Sequence, residues 1–155
     1  MKAYLQRIDI FFGTLKSFQV VLLFVIANAT TFFVISRLVL IYRGVELKSF
    51  IDKTNLDNQL SFMFFGAPFL ETTIFQYGII ELLSKRIALK YACFCSAIAF
   101  ALIHYSSPYY VLYGLLSGLI FAYLYLIGRP RGEGFAMVFV AHMLVNMVIY
   151  LRRFL

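Results

Sequence analysis

Tryptophan is absent from this 155-residue chain, and cysteine, histidine and proline are rare, at two, two and three copies. Cys93 and Cys95 lie two positions apart in an apolar run, so on a helix they point to different faces. They read as buried apolar filler rather than as a disulfide or a metal pair. Charge is scarce too: 14% of residues are charged, where a soluble domain carries about a quarter. What fills the space is apolar, with 63% hydrophobic residues, 18 Phe and 11 Tyr. A soluble domain of this size cannot hide so much apolar surface, and the surplus calls for lipid as a second solvent.

The net charge of +7 would suggest nucleic acid in a soluble protein. Here the basic residues sit mostly at the ends of apolar segments, where loops and anionic headgroups account for them. No basic run is interleaved with exposed aromatics, so nucleic acid is not an expected partner and membrane lipid is.

A spanning helix needs about 20 mostly apolar residues. Five segments qualify, at about 18–42, 60–83, 87–105, 109–127 and 135–151. The expected fold is therefore all-α, a polytopic membrane helical bundle forming a single domain over residues 1–155, in the cell membrane. The first apolar run exceeds a signal-peptide core and lacks a clear cleavage site, so it reads as a retained anchor. Residues 1–16 mix Ile8, Ile10, Phe11 and Phe12 with Lys2, Arg7 and Lys16, a pattern that suits an interfacial helix. Residues 43–59 read as a longer polar connection. Ser106-Ser107-Pro108 is a tight turn, which makes the third and fourth segments antiparallel neighbours. With the N-terminus inside, Lys2, Arg7, Lys16, Lys85, Arg86, Lys90, Arg129 and Arg131 are cytoplasmic. Arg37, Arg43, Lys48, Lys53, Arg152 and Arg153 are then outside, a modest positive-inside bias.

An ionisable group inside a spanning helix costs roughly 2.5–3.5 kcal/mol on insertion scales, so each one is a functional candidate. Three stand out: Glu71 near the centre of the second segment, His104 near the end of the third, and His142 in the fifth. The structural alternative for each is an interhelical hydrogen bond, which is also the bland reading of Asn146. His142 and Asn146 are four apart and share a helix face, as do Phe100 and His104. Pro68, three residues before Glu71, removes a backbone hydrogen bond and loosens the helix there. Loosened helix at membrane depth is tolerated where it is buried or lines a wet cavity. Gly114 and Gly118 form a small-xxx-small pair suited to close helix packing. Glu81 and Lys85 are spaced as an interfacial ion pair. Asn28, Thr30 and Thr31 read as packing polars.

The segments APFLETTIFQYG at 67–78, FALIH at 100–104 and HMLVN at 142–146 resemble, in order, the three motifs of the CPBP family of CAAX prenyl endopeptidases and bacteriocin-processing enzymes. Those motifs are a glutamate pair followed by an arginine, FxxxH, and HxxxN. The resemblance covers about residues 60–150. It departs at two places: Thr72 stands for the second glutamate and Gln76 for the arginine. The two family charges, four apart, can form an ion pair; here both are replaced together by neutral groups that can hydrogen-bond.

The resemblance implies an intramembrane endopeptidase of the glutamic type acting on a membrane-anchored protein or peptide. Glu71 and His104 would activate a water, His142 and Asn146 would stabilise the oxyanion, and Thr72 and Gln76 would support them. No cofactor is expected. An alternative takes Glu71, His104 and His142 as zinc ligands, since two His and one Glu make a catalytic zinc set. The rival class is a catalytically inactive relative that binds a peptide or confers immunity. A proton-coupled transporter is disfavoured by the short chain and the lack of an internal repeat.

Overall fold

The structure is a computed structural model that describes residues 11–44 and 56–152, with the side chains of 56–58 left aside. Every regular element in it is helical. α1 spans Ser17–Arg43. A continuous helical run then comprises α2 (Leu56–Ser61), α3 (Ala67–Glu71) and α4 (Ile80–Leu83), joined by π-helical stretches at Phe62–Gly66 and Thr72–Ile79. α5 is Leu89–Leu102, α6 is Pro108–Gly128 and α7 is Gly134–Leu151. Residues 1–10 of the expected interfacial helix, and 45–55 of the long connection, lie outside the described residues.

α1, α6 extended to Arg131, and α7 are long and apolar enough to cross a membrane. The chain is thus a polytopic helical membrane protein. The two remaining expected segments differ from a plain spanning helix. The second begins earlier, at Leu56, and is wound alternately as α and π rather than opened at Pro68. The third is shorter, 14 residues, because the helix gives way at Leu102 to the turn before Ser107 and Pro108. That turn behaves as its sequence demands. Ser107 caps α6 by accepting from the Tyr110 amide at 3.2 Å, and Pro108 occupies the first turn, where its missing N–H costs nothing.

α1 shows how an apolar helix chooses its inner face. Val20, Phe24, Asn28, Phe32, Ser36 and Val39 fall at three- and four-residue intervals and are buried, while Leu22, Ile26, Phe33 and Leu38 stay exposed. The outer residues are as apolar as the inner ones, which is the arrangement lipid requires. Gly44 ends the helix at φ 61°, a left-handed conformation that favours glycine. Cys93 is buried and Cys95 exposed, on opposite faces as their spacing requires.

α6 is central. It packs against α1, α5, α7 and the second π stretch. Toward α5 it presents Gly114 and Gly118, where a Cβ would stand 3.1 Å from Ala101 Cα and 3.0 Å from Ala97 Cα respectively. The small-xxx-small pair therefore seats α5 directly on the α6 backbone. Toward α1 it presents Tyr113 and Ser117. Tyr113 Oη donates to Asn28 Oδ1 at 2.9 Å and Asn28 Nδ2 donates to Ser117 Oγ at 2.9 Å, so a fully buried amide is satisfied at both ends.

One end of the bundle is latched by charge. Glu81 takes a bidentate fork from Arg129, Nε and one terminal nitrogen each at 2.8 Å, and a hydrogen bond from Tyr125 Oη at 2.6 Å. The partner of Glu81 is thus Arg129 rather than Lys85. Helix α4 ends at Leu83, so Lys85 lies beyond the regular winding that the four-residue spacing presumes. Arg131 donates to the carbonyls of Phe12 and Leu15, at 2.6 and 3.2 Å, and Ser17 Oγ donates to Glu133. At the other end Arg152 lies over the rings of Phe32 and Phe33, tying the end of α7 to α1.

Candidate functional site

Glu71 is the last residue of α3, with a π stretch before that short helix and another after it. π winding is uncommon and costs hydrogen-bond geometry, so it persists where neighbours supply compensation. They do here. Asn146 Nδ2 on α7 donates to the Met63 carbonyl at 2.8 Å, and Ser96 Oγ on α5 donates to the Phe75 carbonyl at 2.9 Å. Each π stretch thus receives a side-chain donor from another helix, and the two donors flank the position of Glu71.

Opposite Glu71 stands His142, projecting from the middle of α7. Its Nε2 is 3.6 Å from Glu71 Oε2. His142 is buried, and its ring lies against Phe121 with centroids 4.8 Å apart and against Phe100 at 5.8 Å. Glu71 keeps a side-chain exposure of 21%. Among the described residues Glu71 Oε2 and His142 Nδ1 have no hydrogen-bond partner. A carboxyl and an imidazole from two different segments are therefore adjacent at membrane depth, each retaining capacity for a further bond.

His104 arrives by a different route. An α-helix leaves its last carbonyls without intrahelical donors. Because α5 stops at Leu102, the His104 amide turns back to Ala101, at 3.0 Å, instead of reaching Phe100. The Phe100 carbonyl then accepts from His104 Nδ1, at 2.8 Å. The two motif residues are joined twice, since the Phe100 ring also lies 4.8 Å from the His104 ring. Phe100 is only 1% exposed and touches His142, Phe75 and Phe121 as well. It is the common wall of both histidines.

Thr72 and Gln76 do not bond each other. Both are fully buried, and Thr72 Oγ1, Gln76 Nε2 and Gln76 Oε1 lack partners among the described residues. The four-residue pairing rule belongs to α-helix, whereas Thr72–Ile79 is wound as π, which alters the side-chain spacing. Nor do Glu71, His104 and His142 form a zinc set: among the described residues no group of three or more His, Cys, Asp or Glu is arranged to hold a metal ion. The groups that sequence reasoning missed are the Met63 carbonyl, Ser96 and Phe121. Ser96 and Phe121 carry no signal in an apolar run, and a carbonyl acceptor carries none at all.

Helices that bring Glu71 on one segment against His142 on another define a polytopic membrane protein with an acid–imidazole contact between its helices. A comparison with known families assigns it further. The family described as Type II CAAX prenyl endopeptidase Rce1-like matches residues 58–148. The chain belongs to that family, a family of CAAX-type intramembrane proteases, and the matched region contains Glu71, His104, His142 and Asn146. No curated protein and no solved structure matches the chain.

Proposed function

We propose that the protein is an intramembrane endopeptidase that hydrolyses a peptide bond in a membrane-anchored protein or peptide. The observation that carries this reading is the approach of Glu71 to His142, 3.6 Å apart on separate segments of a family of endopeptidases. Glu71 and His104 activate a water. As the water oxygen bonds to the scissile carbonyl carbon, its proton passes to the Glu71 carboxylate. His104, whose Nδ1 is engaged by Phe100, has Nε2 free as the second acceptor for the water.

The carbonyl electron pair moves to oxygen, and the developing charge needs donors in a low-dielectric setting. His142, whose Nε2 faces Glu71 at 3.6 Å, is one. Asn146 is the other: one amide hydrogen holds the Met63 carbonyl, and an amide nitrogen carries two. Collapse of the intermediate breaks the C–N bond, and the proton held on Glu71 leaves with the amine.

The test is cleavage of membrane-anchored peptides, prenylated C-termini and leader peptides among them, by the protein reconstituted in lipid. Wild type should cleave one class, Glu71→Gln and His104→Ala should not, and His142→Ala should cleave it roughly 10²–10³-fold more slowly. Equal processing by wild type and Glu71→Gln would point instead to a relative that binds its peptide without cutting it. Loss of activity with a zinc chelator, restored by added metal, would overturn the water activation described while keeping the residues.

A further inference from the structure

Helix α6 contributes no group to the chemistry proposed above, yet it lies behind both histidines. Its two glycines toward α5 differ in what they face. The three atoms nearest a Cβ on Gly118 all belong to Ala97: Cα at 3.0 Å, Cβ and the carbonyl oxygen at 3.3 Å. A Cβ on Gly114 would meet Ala101 Cα at 3.1 Å, and also Cγ and Nδ1 of His104, both at 3.3 Å. The His104 atom it would crowd is the one that holds the Phe100 carbonyl at 2.8 Å.

We infer that Gly114 is a positioning residue for His104: the missing side chain makes the space in which the imidazole sits against α6 with Nδ1 on the Phe100 carbonyl. The inference rests on His104 belonging to the site. A carbonyl oxygen only accepts, so Nδ1 carries the hydrogen, and in the neutral ring Nε2 is then the acceptor. That is the tautomer a proton-accepting histidine needs. A methyl group at 114 presses on two bodies. The α5 backbone at Ala101 yields little, because it is packed along its length, whereas the His104 ring turns about its own torsions. Turning takes Nδ1 off Phe100 and frees the ring to exchange tautomers.

Gly118→Ala supplies the control, since it strains the same helix contact at least as tightly and its nearest contacts are all with Ala97, none with the imidazole. The chain holds only two histidines, so nitrogen NMR of histidine-labelled protein in lipid resolves them, with His142→Ala giving the assignment. The expected result is a hydrogen-bonded, protonated Nδ1 at His104 in wild type and in Gly118→Ala, and loss of that signature in Gly114→Ala. Unchanged His104 signals in Gly114→Ala, or equal disturbance by Gly118→Ala, would overturn the inference. If Gly114→Ala fails to fold, the Gly114→Ala, His104→Ala double variant decides. Recovery of folding supports the contact with the ring, and continued failure assigns the strain to the Ala101 backbone and overturns it. None of these readouts needs peptidase activity, so a wild-type protein that cleaves nothing would sink the endopeptidase reading alone. Where cleavage is measurable, Gly114→Ala should lower kcat on the order of 10²-fold, as small misplacements of a catalytic group do, with Gly118→Ala close to wild type.

Discussion

Glu71 and Gln76 lie five positions apart on one helical run and differ in how each could be replaced. Among the described residues Glu71 Oε2 has no hydrogen-bond partner, so a glutamine fits in its place without stranding a donor elsewhere. Glu71→Gln should therefore leave thermal unfolding in detergent nearly unchanged while abolishing peptide cleavage, and a parallel loss of both would mean the carboxyl is structural. Gln76 and Thr72 are fully buried where the CPBP pattern carries two charges. A lone charge there has no counterpart: Thr72→Glu should cost roughly 2.5–3.5 kcal/mol, the insertion penalty of an intramembrane acid. Because the π winding takes the two positions out of the four-residue pairing, adding Gln76→Arg should recover little of it. Chemical denaturation of both variants measures the difference, and recovery in the double variant would show that the two positions do meet.

At the scale of elements, the π stretches tie the site to helices distant in sequence. Asn146→Leu removes both a proposed oxyanion donor and the donor to the Met63 carbonyl. It should lower cleavage roughly 10²–10³-fold and stability by about 1–3 kcal/mol. Ser96→Ala removes only the donor to the Phe75 carbonyl, so unfolding should register the same order of stability loss while the oxyanion donors stay in place. The motifs at 100–104 and 142–146 were legible in the sequence because an imidazole or amide in an apolar helix has few inexpensive explanations. Gly114 and Gly118 were legible as a packing pair from their small-xxx-small spacing. The π winding was not, because one extra residue per turn is set by what other helices donate, and Ser96 and Asn146 lie far along the chain. The end of α5 was misread by three residues, at Leu102 instead of Tyr105. That shortfall is what turns the Phe100 carbonyl toward His104. Helix-boundary reasoning from hydropathy sees apolar residues through Ile103, whereas backbone pairing had already changed.

For the whole molecule, the latch of Glu81 to Arg129 and of Arg131 to Phe12 and Leu15 gathers the 84–88 turn, the 129–133 turn and the start of α1 at one end. Single cysteines at Lys85 and Pro130, in a protein with Cys93 and Cys95 replaced, should react with a membrane-impermeant thiol reagent from the same side. Reaction from opposite sides would break the five-segment arrangement. Asn28, on α1 and outside the family-matched residues 58–148, reaches into α6 through Tyr113 and Ser117. Asn28→Leu leaves those two hydroxyls without their partner and should destabilise the bundle by about 1–3 kcal/mol, read in the same denaturation assay.

The 14 residues of α5 reach about 21 Å at 1.5 Å per residue, well short of a hydrocarbon core of about 30 Å. Lipid beside a short helix thins, because acyl chains compress more readily than polar ends sink into oil. A pinch at the end of α5 would lie beside His104. Hydrolysis inside a membrane needs water as a reactant, and a dimpled leaflet brings headgroup hydration several ångströms toward the imidazole without any open channel. For the endopeptidase proposed above, turnover in short-chain phosphatidylcholine should consequently exceed turnover in long-chain phosphatidylcholine, which would make the thickness of the surrounding membrane a rate constant's control knob.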